Sequence, residues 1–349
     1  MECSQHAILI NESCRGKLKI SFWLAKIESD GVNSDHKEQG TIPVNEHESV
    51  SVRSKTITGR HAGPHLLITG GVHGDEFEPM AAIRRLILEL QPDDLRGRVT
   101  LVPVVNEAAF LRGHRMADDG LDLARVCPGS ADGTVTERTA HELAKLIRAA
   151  DFYIDLHTGG TELAVFPLAG YCLHPQPEIL EQQRQMARAF NLPVIWGTVP
   201  TLEGRSLSIA RHANVPAIYA EYYGSATCDP EGISAYVDGC LNVMCALQMI
   251  DGEPPVSKVE QVVEDPRPDS GHMQVCNPSP LTGFFSPAVG LGAAVDRGDV
   301  LGTVTELLGS RQQTIRAEQT GIVLVLRTFP RVREGESVGV ILETNKNRR

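Results

Sequence analysis

Between residues 60 and 252 the chain alternates short, nearly continuous apolar runs with longer stretches whose apolar positions recur at helical spacing. LLITGGV (66–72), VTLVPVV (99–105), FYIDL (152–156) and AIYA (217–220) are runs of the first kind. They suit strands buried on both faces of a sheet. In 79–90, Ile83, Leu86, Ile87 and Leu90 share one helical face, and Pro79 fits a first turn. The segments 137–150, 178–190 and 233–250 follow the same period. Strands alternating with helices predict a layered α/β unit ending near residue 252.

The flanks read differently. LKISFWLAKI and SVSVRSKTI are β-like pieces on either side of the polar ESDGVNSDHKEQG, which reads as a loop. Residues 1–252 are therefore expected to form one α/β unit with an N-terminal β segment. The Pro- and acid-rich 253–270 reads as a linker. Residues 271–345 are rich in Gly and Val without a helical period, and VDRGDVLG (295–302) echoes VREGESVG (332–339). The echo predicts a small all-β domain of two similar hairpins, resembling a barrel-sandwich of the lipoyl or biotinyl type. No lysine lies between Lys258 and Lys346, so a carrier lysine at such a turn is excluded.

Composition narrows the partners. The 349 residues are 42% hydrophobic and 22% charged, values of an ordinary globular chain. The net charge of −11 opposes nucleic acid and anionic membranes. No apolar stretch reaches the ~20 residues of a membrane span. The N-terminus lacks a signal-peptide pattern, and the eight cysteines form no CxxC pair. A reduced, cytoplasmic protein is expected, with a small molecule as partner and room for a homo-oligomer.

The chemistry concentrates at strand ends. HGDEFEP places His73, Asp75, Glu76 and Glu78 between a strand and a helix. Acids there gain roughly 0.3–1 kcal/mol from the helix dipole, and Asp75 or Glu78 can cap the helix. Neither effect accounts for His73 or the Gly70–Gly71 pair. A His and a Glu three apart can converge on one metal, and catalytic zinc sites take three protein ligands with a fourth position open. The third ligand should come from another strand end. His157, in FYIDLHTGG, is the candidate; a histidine there by itself is more often a hydrogen-bonded structural one, and His73 and Glu76 reverse that reading. Asp155, on the same side of the extended chain, is placed to orient it. Glu221, leaving the apolar run VPAIYAE, is the candidate base, with a salt bridge to an arginine as the alternative. In the loop 106–129, Arg115 and Arg125 offer guanidinium forks for a carboxylate, although arginines in a polar loop are otherwise solvated. Arg211 and Arg205 are further candidate carboxylate contacts, each compatible with the exposed side of a helix.

HGDE at 73–76, DLH at 155–157, the late Glu221 and the arginine-bearing loop between them resemble the succinylglutamate desuccinylase/aspartoacylase family. The resemblance spans roughly residues 60–250. It implies a zinc-carboxypeptidase-like mixed sheet flanked by helices. It also implies one Zn2+ per chain on His73, Glu76 and His157, with Glu221 as general base and acid. Arg115 and Arg125 fall where the family grips a substrate carboxylate and polarises the scissile carbonyl. The implied reaction is hydrolysis of the amide of a small N-acylated amino acid or amine. One departure stands out: the chain reads DLAR, with Ala124 in place of the family's asparagine. A metallo-carboxypeptidase or esterase on the same centre, or a binding protein with a decayed site, are the alternatives.

Overall fold

A computed structural model describes residues 50–268, 270–271, 273 and 276–343. The expected β-piece LKISFWLAKI and the polar loop after it lie outside the described residues. In chain order, strands β1 (Lys55–Thr58) and β2 (His61–Thr69) precede helix α1 (Phe77–Glu89). β3 (Arg96–Val102) leads into the short α2 (Glu107–Arg112) and α3 (Leu123–Val126), then α4 (Val135–Arg148). β4 (Phe152–His157) and β5 (Leu163–Cys172) are followed by α5 (Pro177–Phe190), β6 (Val194–Thr198) and α6 (Ser206–His212). Next come β7 (Ala217–Gly224) and α7 (Pro230–Ala246). Past residue 252 lie β8 (Gln261–Glu264), β9 (Gly283–Pro287), β10 (Ala294–Val295), β11 (Val300–Thr305), β12 (Gln312–Arg316), β13 (Gly321–Arg327), β14 (Arg331–Val332) and β15 (Gly339–Glu343).

Eleven of the described strands form one mixed sheet, with the order β1-β3-β2-β4-β7-β5 among strands that precede residue 252. β2 runs parallel to β3 and β4, and β4 parallel to β7, whereas β5 is antiparallel to β7. Helices cover both faces. Leu66 and Ile68 pack with Ile83 and Leu86 of α1 and Tyr236 and Val237 of α7. Leu67, between them, points the other way onto Leu143 and Ile147 of α4, because successive strand side chains alternate. Each such fully buried side chain contributes about 1.5–3 kcal/mol. That two-sided burial is why β2 reads as an unbroken apolar run. α4 begins with a reciprocal cap, in which Glu137 accepts from the Thr134 amide at 2.8 Å while the Thr134 hydroxyl accepts from the Glu137 amide.

The four expected strands and four expected helices are all present, each shifted by a few residues at its ends. β5 escaped periodicity because Pro167 interrupts it. Pro167 sits where the register with β7 shifts between Val165 and Leu168, a place where no ladder donor is needed. Inside 253–270, β8 adds parallel to β6. The region after residue 271 divides between two sheets. β13 pairs with β5 in the large sheet, while β12, β11, β9 and β14 form a separate antiparallel sheet. The repeated motif is one turn used twice. The Asp299 amide donates to Asp296 O at 3.0 Å and the Glu336 amide to Arg333 O at 3.1 Å. Gly298 and Gly335 take φ of 97° and 85°, which favours glycine. The first copy crosses from the large sheet to the small one and the second crosses back.

Candidate active site

The carboxyl ends of β2, β4 and β7 open onto one crevice, where open α/β sheets build their sites. Past β2 the chain turns through Gly70–Gly74 into α1. Gly74 is required there, since a Cβ would lie 2.1 Å from the Ala109 backbone of α2. Glu76 stands at the N-cap position of α1 yet makes no capping bond. Its carboxylate turns to the imidazoles instead, Oε1 lying 2.7 Å from His73 Nδ1 and Oε2 3.0 Å from His157 Nδ1. His157 ends β4 and lies directly across from Glu221 on β7.

Each imidazole has a carboxylate at both nitrogens. His73 Nε2 is 3.0 Å from Asp122 Oδ1, and His157 Nε2 is 3.1 Å from Asp155 Oδ2. A neutral imidazole has one N–H and one lone pair. With the N–H on the Nε2 side, two Nδ1 lone pairs and the Glu76 oxygens crowd together, an arrangement that a bound cation would relieve. Donor atoms of His73, Glu76 and His157 all lie within 4.8 Å of one another, so the set fits a single metal ion. Burial would raise the Glu76 pKa, but His73 and His157 hold it well below the carboxylate range. Burial would lower His157, yet Asp155 and Glu76 carry it well above the usual value.

Asp155 is fully buried behind His157. It accepts Thr69 Oγ1 at 2.7 Å and the Ser206 hydroxyl, so its place is set by β2 and α6. Glu221 faces the cavity 6% exposed, and its Oε2 has no hydrogen-bond partner. Burial pushes its pKa up to about 8; His157 and Arg115 oppose this and Glu76 adds to it. The expected alternative, a salt bridge from Glu221 to an arginine, does not occur among the described residues.

Arg115 also lines the cavity. Its Nη2 and Nε donate to Asp122 Oδ2 at 3.0 and 3.2 Å, and Nη1 lies 3.7 Å from Glu76 Oε1. Asp122 was missed by sequence reasoning; its signal is an aspartate opening DLAR, seven residues after Arg115. Burial would raise its pKa, but His73 and Arg115 hold it far below the usual range. Arg125 lines the same cavity and donates to Ala124 O at 2.7 Å. Burial lowers its pKa, Asp122 opposes, and nearby Arg205 and Arg115 lower it further. Arg211 does not join them. It donates to Leu202 O at 2.9 Å and pairs with Glu203, and it is not among the residues that line the cavity, where its substrate contact was expected. Arg205, at the start of α6, lines the cavity instead and donates to Gly271 O at 3.2 Å. The helix explains the exchange: six residues, about one and two-thirds turns, put the two arginines on different sides of α6. Leu163, Val165 and Val325 form the apolar wall. Asp75 and Glu78 hold loops, Asp75 accepting the Thr161 amide at 2.9 Å and Glu78 the Thr227 hydroxyl at 2.8 Å.

A sequence model of the succinylglutamate desuccinylase/aspartoacylase catalytic domain matches residues 62–247, the stretch that supplies all these groups except Val325 and Gly271. The chain belongs to the succinylglutamate desuccinylase/aspartoacylase family. Its similarity to family members extends well beyond that domain. It is 31% identical over 327 residues to an N-alpha-acetyl-L-2,4-diaminobutyric acid deacetylase from Halomonas elongata, covering 90% of this chain and 93% of that one. The product-bound ectoine utilization protein EutE (DoeB) from Ruegeria pomeroyi superposes with a TM-score of 0.76 at 27% identity, over 84% of this chain and 89% of that one. A succinylglutamate desuccinylase/aspartoacylase from Rhodobacter sphaeroides gives the same TM-score and identity over 85% and 90%. Among the described residues, no helix of this family member is long and apolar enough to cross a membrane.

Proposed function

We propose that this chain hydrolyses the amide bond of a small N-acylated amino acid or amine, using one zinc ion held by His73, Glu76 and His157. The observation that carries the reading is the convergence of these three donors beside Glu221 in a cavity lined by arginines. The family and the deacetylase relative support an amide hydrolase. Two imidazoles and a carboxylate are the donor set of many catalytic zinc sites. Zinc bound there supplies Lewis acidity toward a carbonyl and lowers the pKa of a water to near 7.

Glu221 takes the proton released as water attacks the acyl carbon, then delivers it to the amine nitrogen as the C–N bond breaks. The products are an acyl carboxylate and a free amine. A pKa of about 8 without metal, drawn down by a bound cation, puts this carboxyl near the operating pH, where proton transfer is efficient. Arg115, fixed by Asp122, is placed to polarise the carbonyl. Arg125 and Arg205 bring positive charge to one wall and bind the substrate carboxylate, Arg205 compensating for the amide lost at Ala124.

The test is amine release from N-acetyl and N-succinyl amino acids, alongside short peptides and esters, by protein loaded with one equivalent of zinc. Deacylation of amino-acid amides is the expected result. Peptide cleavage without deacylation would make the chain a peptidase. Failure to bind zinc would return the decayed-site alternative, which the intact His–Glu–His set and Glu221 argue against.

A further inference from the structure

The turn between β13 and β14 grips two loops that leave the candidate centre. Arg327, the last residue of β13, is 3% exposed. Its guanidinium reaches Ser337 O at 3.1 Å, Arg331 O at 2.8 Å, Glu336 at 3.0 Å and Glu162 at 3.2 Å. Glu162 also pairs with Arg331 at 2.5 Å. Its carbonyl accepts the Thr328 and Phe329 amides at 3.0 and 3.2 Å. Glu162 closes the loop that starts at His157. Near the loop's start, the Thr158 amide donates to Glu76 Oε2 at 3.2 Å.

The same turn reaches the end of the strand that carries Glu221. The Ser225 and Thr328 hydroxyls are 2.7 Å apart. The Ser225 and Ala226 amides donate to Leu163 O at 3.1 Å and Gly160 O at 2.9 Å. Val325, two residues before Arg327, lines the cavity itself.

We propose that Arg327, acting through Glu162, is a positioning residue of the hydrolytic centre: it sets the loop 158–162, and with it the spacing of His157, Glu76 and Glu221. This rests on the centre assigned above. A carboxylate ligand can rotate about its terminal bond, and an amide on its second oxygen removes that freedom. The loop holding that amide contains Gly159 and Gly160, whose backbones are the least self-restraining. Backbone bonds such as the Gly159 amide to Tyr223 O at 2.8 Å and the Thr161 amide to Asp75 at 2.9 Å pin its middle, and the guanidinium adds the side-chain anchor at its far end, where a planar fork fixes direction as well as charge. Without the Glu162 side chain Arg327 still keeps Glu336 and two carbonyls, so the bonds that tie β13 to the following turn remain.

The experiment compares Glu162→Ala, Glu162→Gln, Arg327→Lys and the Glu162→Ala/Arg327→Lys double variant in the full chain. Tm, kcat, KM and the visible spectrum of the Co2+-substituted protein are measured. Glu162→Ala is expected to keep Tm, change the cobalt spectrum and lower kcat about tenfold or more, with KM within about twofold. Arg327→Lys, retaining charge without the fork, should show the same split. The double variant should lose no more than the worse single one, since both break one clamp. Glu162→Gln, which can turn its accepting oxygen to Arg327 while its NH2 group opposes only the more exposed Arg331, should recover part of the rate. Unchanged kcat and spectrum in Glu162→Ala, additive losses, or a fall in Tm that accounts for the lost activity would each overturn the proposal. If the unsubstituted protein turns over no N-acyl amino acid, the proposed reaction fails, while the cobalt spectra still decide whether the clamp acts on the centre.

Discussion

Asp122→Asn tests whether the carboxylate behind His73 matters as much as the one behind His157. In the structure one oxygen of Asp122 faces His73 Nε2 at 3.0 Å and accepts the Ala124 amide at 2.9 Å. The other receives two bonds from Arg115. Asparagine keeps the shape but offers only one accepting oxygen. If its NH2 group faces Arg115, donor opposes donor and the guanidinium is released. If it faces His73, the imidazole must switch tautomer and point N–H at the metal position. Either way one charge-assisted bond is lost, worth about 1.5–3 kcal/mol. Losing a carboxylate behind a metal-binding histidine weakens metal affinity about 10–100-fold, or about 1.4–2.7 kcal/mol, so the two routes agree. The assay is competition for zinc against a chromophoric chelator at fixed pH, with apo-protein melting measured in parallel. Zinc affinity within about twofold of the unsubstituted protein, in a folded variant, would refute the reasoning.

Other outcomes follow from the same geometry. His73→Ala and His157→Ala should each lose zinc and turnover together; stoichiometric zinc in either variant would remove that residue from the ligand set. Glu221→Gln should retain zinc while kcat falls about 10²–10⁴-fold, and near-normal turnover would take Glu221 out of the proton path. Arg205→Ala should raise KM for anionic substrates whereas Arg211→Ala leaves it unchanged; steady-state kinetics showing the reverse would restore Arg211 to the pocket. Arg184 bonds Glu264 twice at 2.8 Å and outweighs the opposite pull of burial; with Tyr171 it holds that carboxylate below its usual pKa. A depressed folded pKa stabilises above the unfolded value of about 4.3 and stops stabilising as pH falls through the folded one. Glu264→Gln should therefore cost about 1 kcal/mol or less at pH 7 and progressively less below about pH 4. Urea titrations showing an equal gap at both pH values would refute that assignment.

Much of the centre was legible because its parts are local. The HxxE turn, the DLH strand end and Glu221 each sit where a buried apolar run stops, and such runs carry their own signature. What stayed hidden depends on contacts between distant segments. Arg205 and Arg211 have the same residue type in the same helical stretch, and only the direction in which α6 meets the cavity separates them. Asp122 looks like an ordinary loop aspartate until Arg115 and His73 close around it. The Val–Gly–acid echo near the C-terminus is visible as text, but nothing in it tells that one copy leaves the large sheet and the other returns.

Periodicity and strand-end chemistry thus determined the layered architecture and pointed to His73, Glu76, His157 and Glu221, since each is encoded within a few consecutive residues. Tertiary structure alone decided which arginines line the cavity, which acids stand behind the imidazoles, and that Arg327 reaches the loop after His157. The physical reason is distance along the chain: Glu162 and Arg327 are 165 residues apart, and their bond exists only because β13 docks antiparallel on β5.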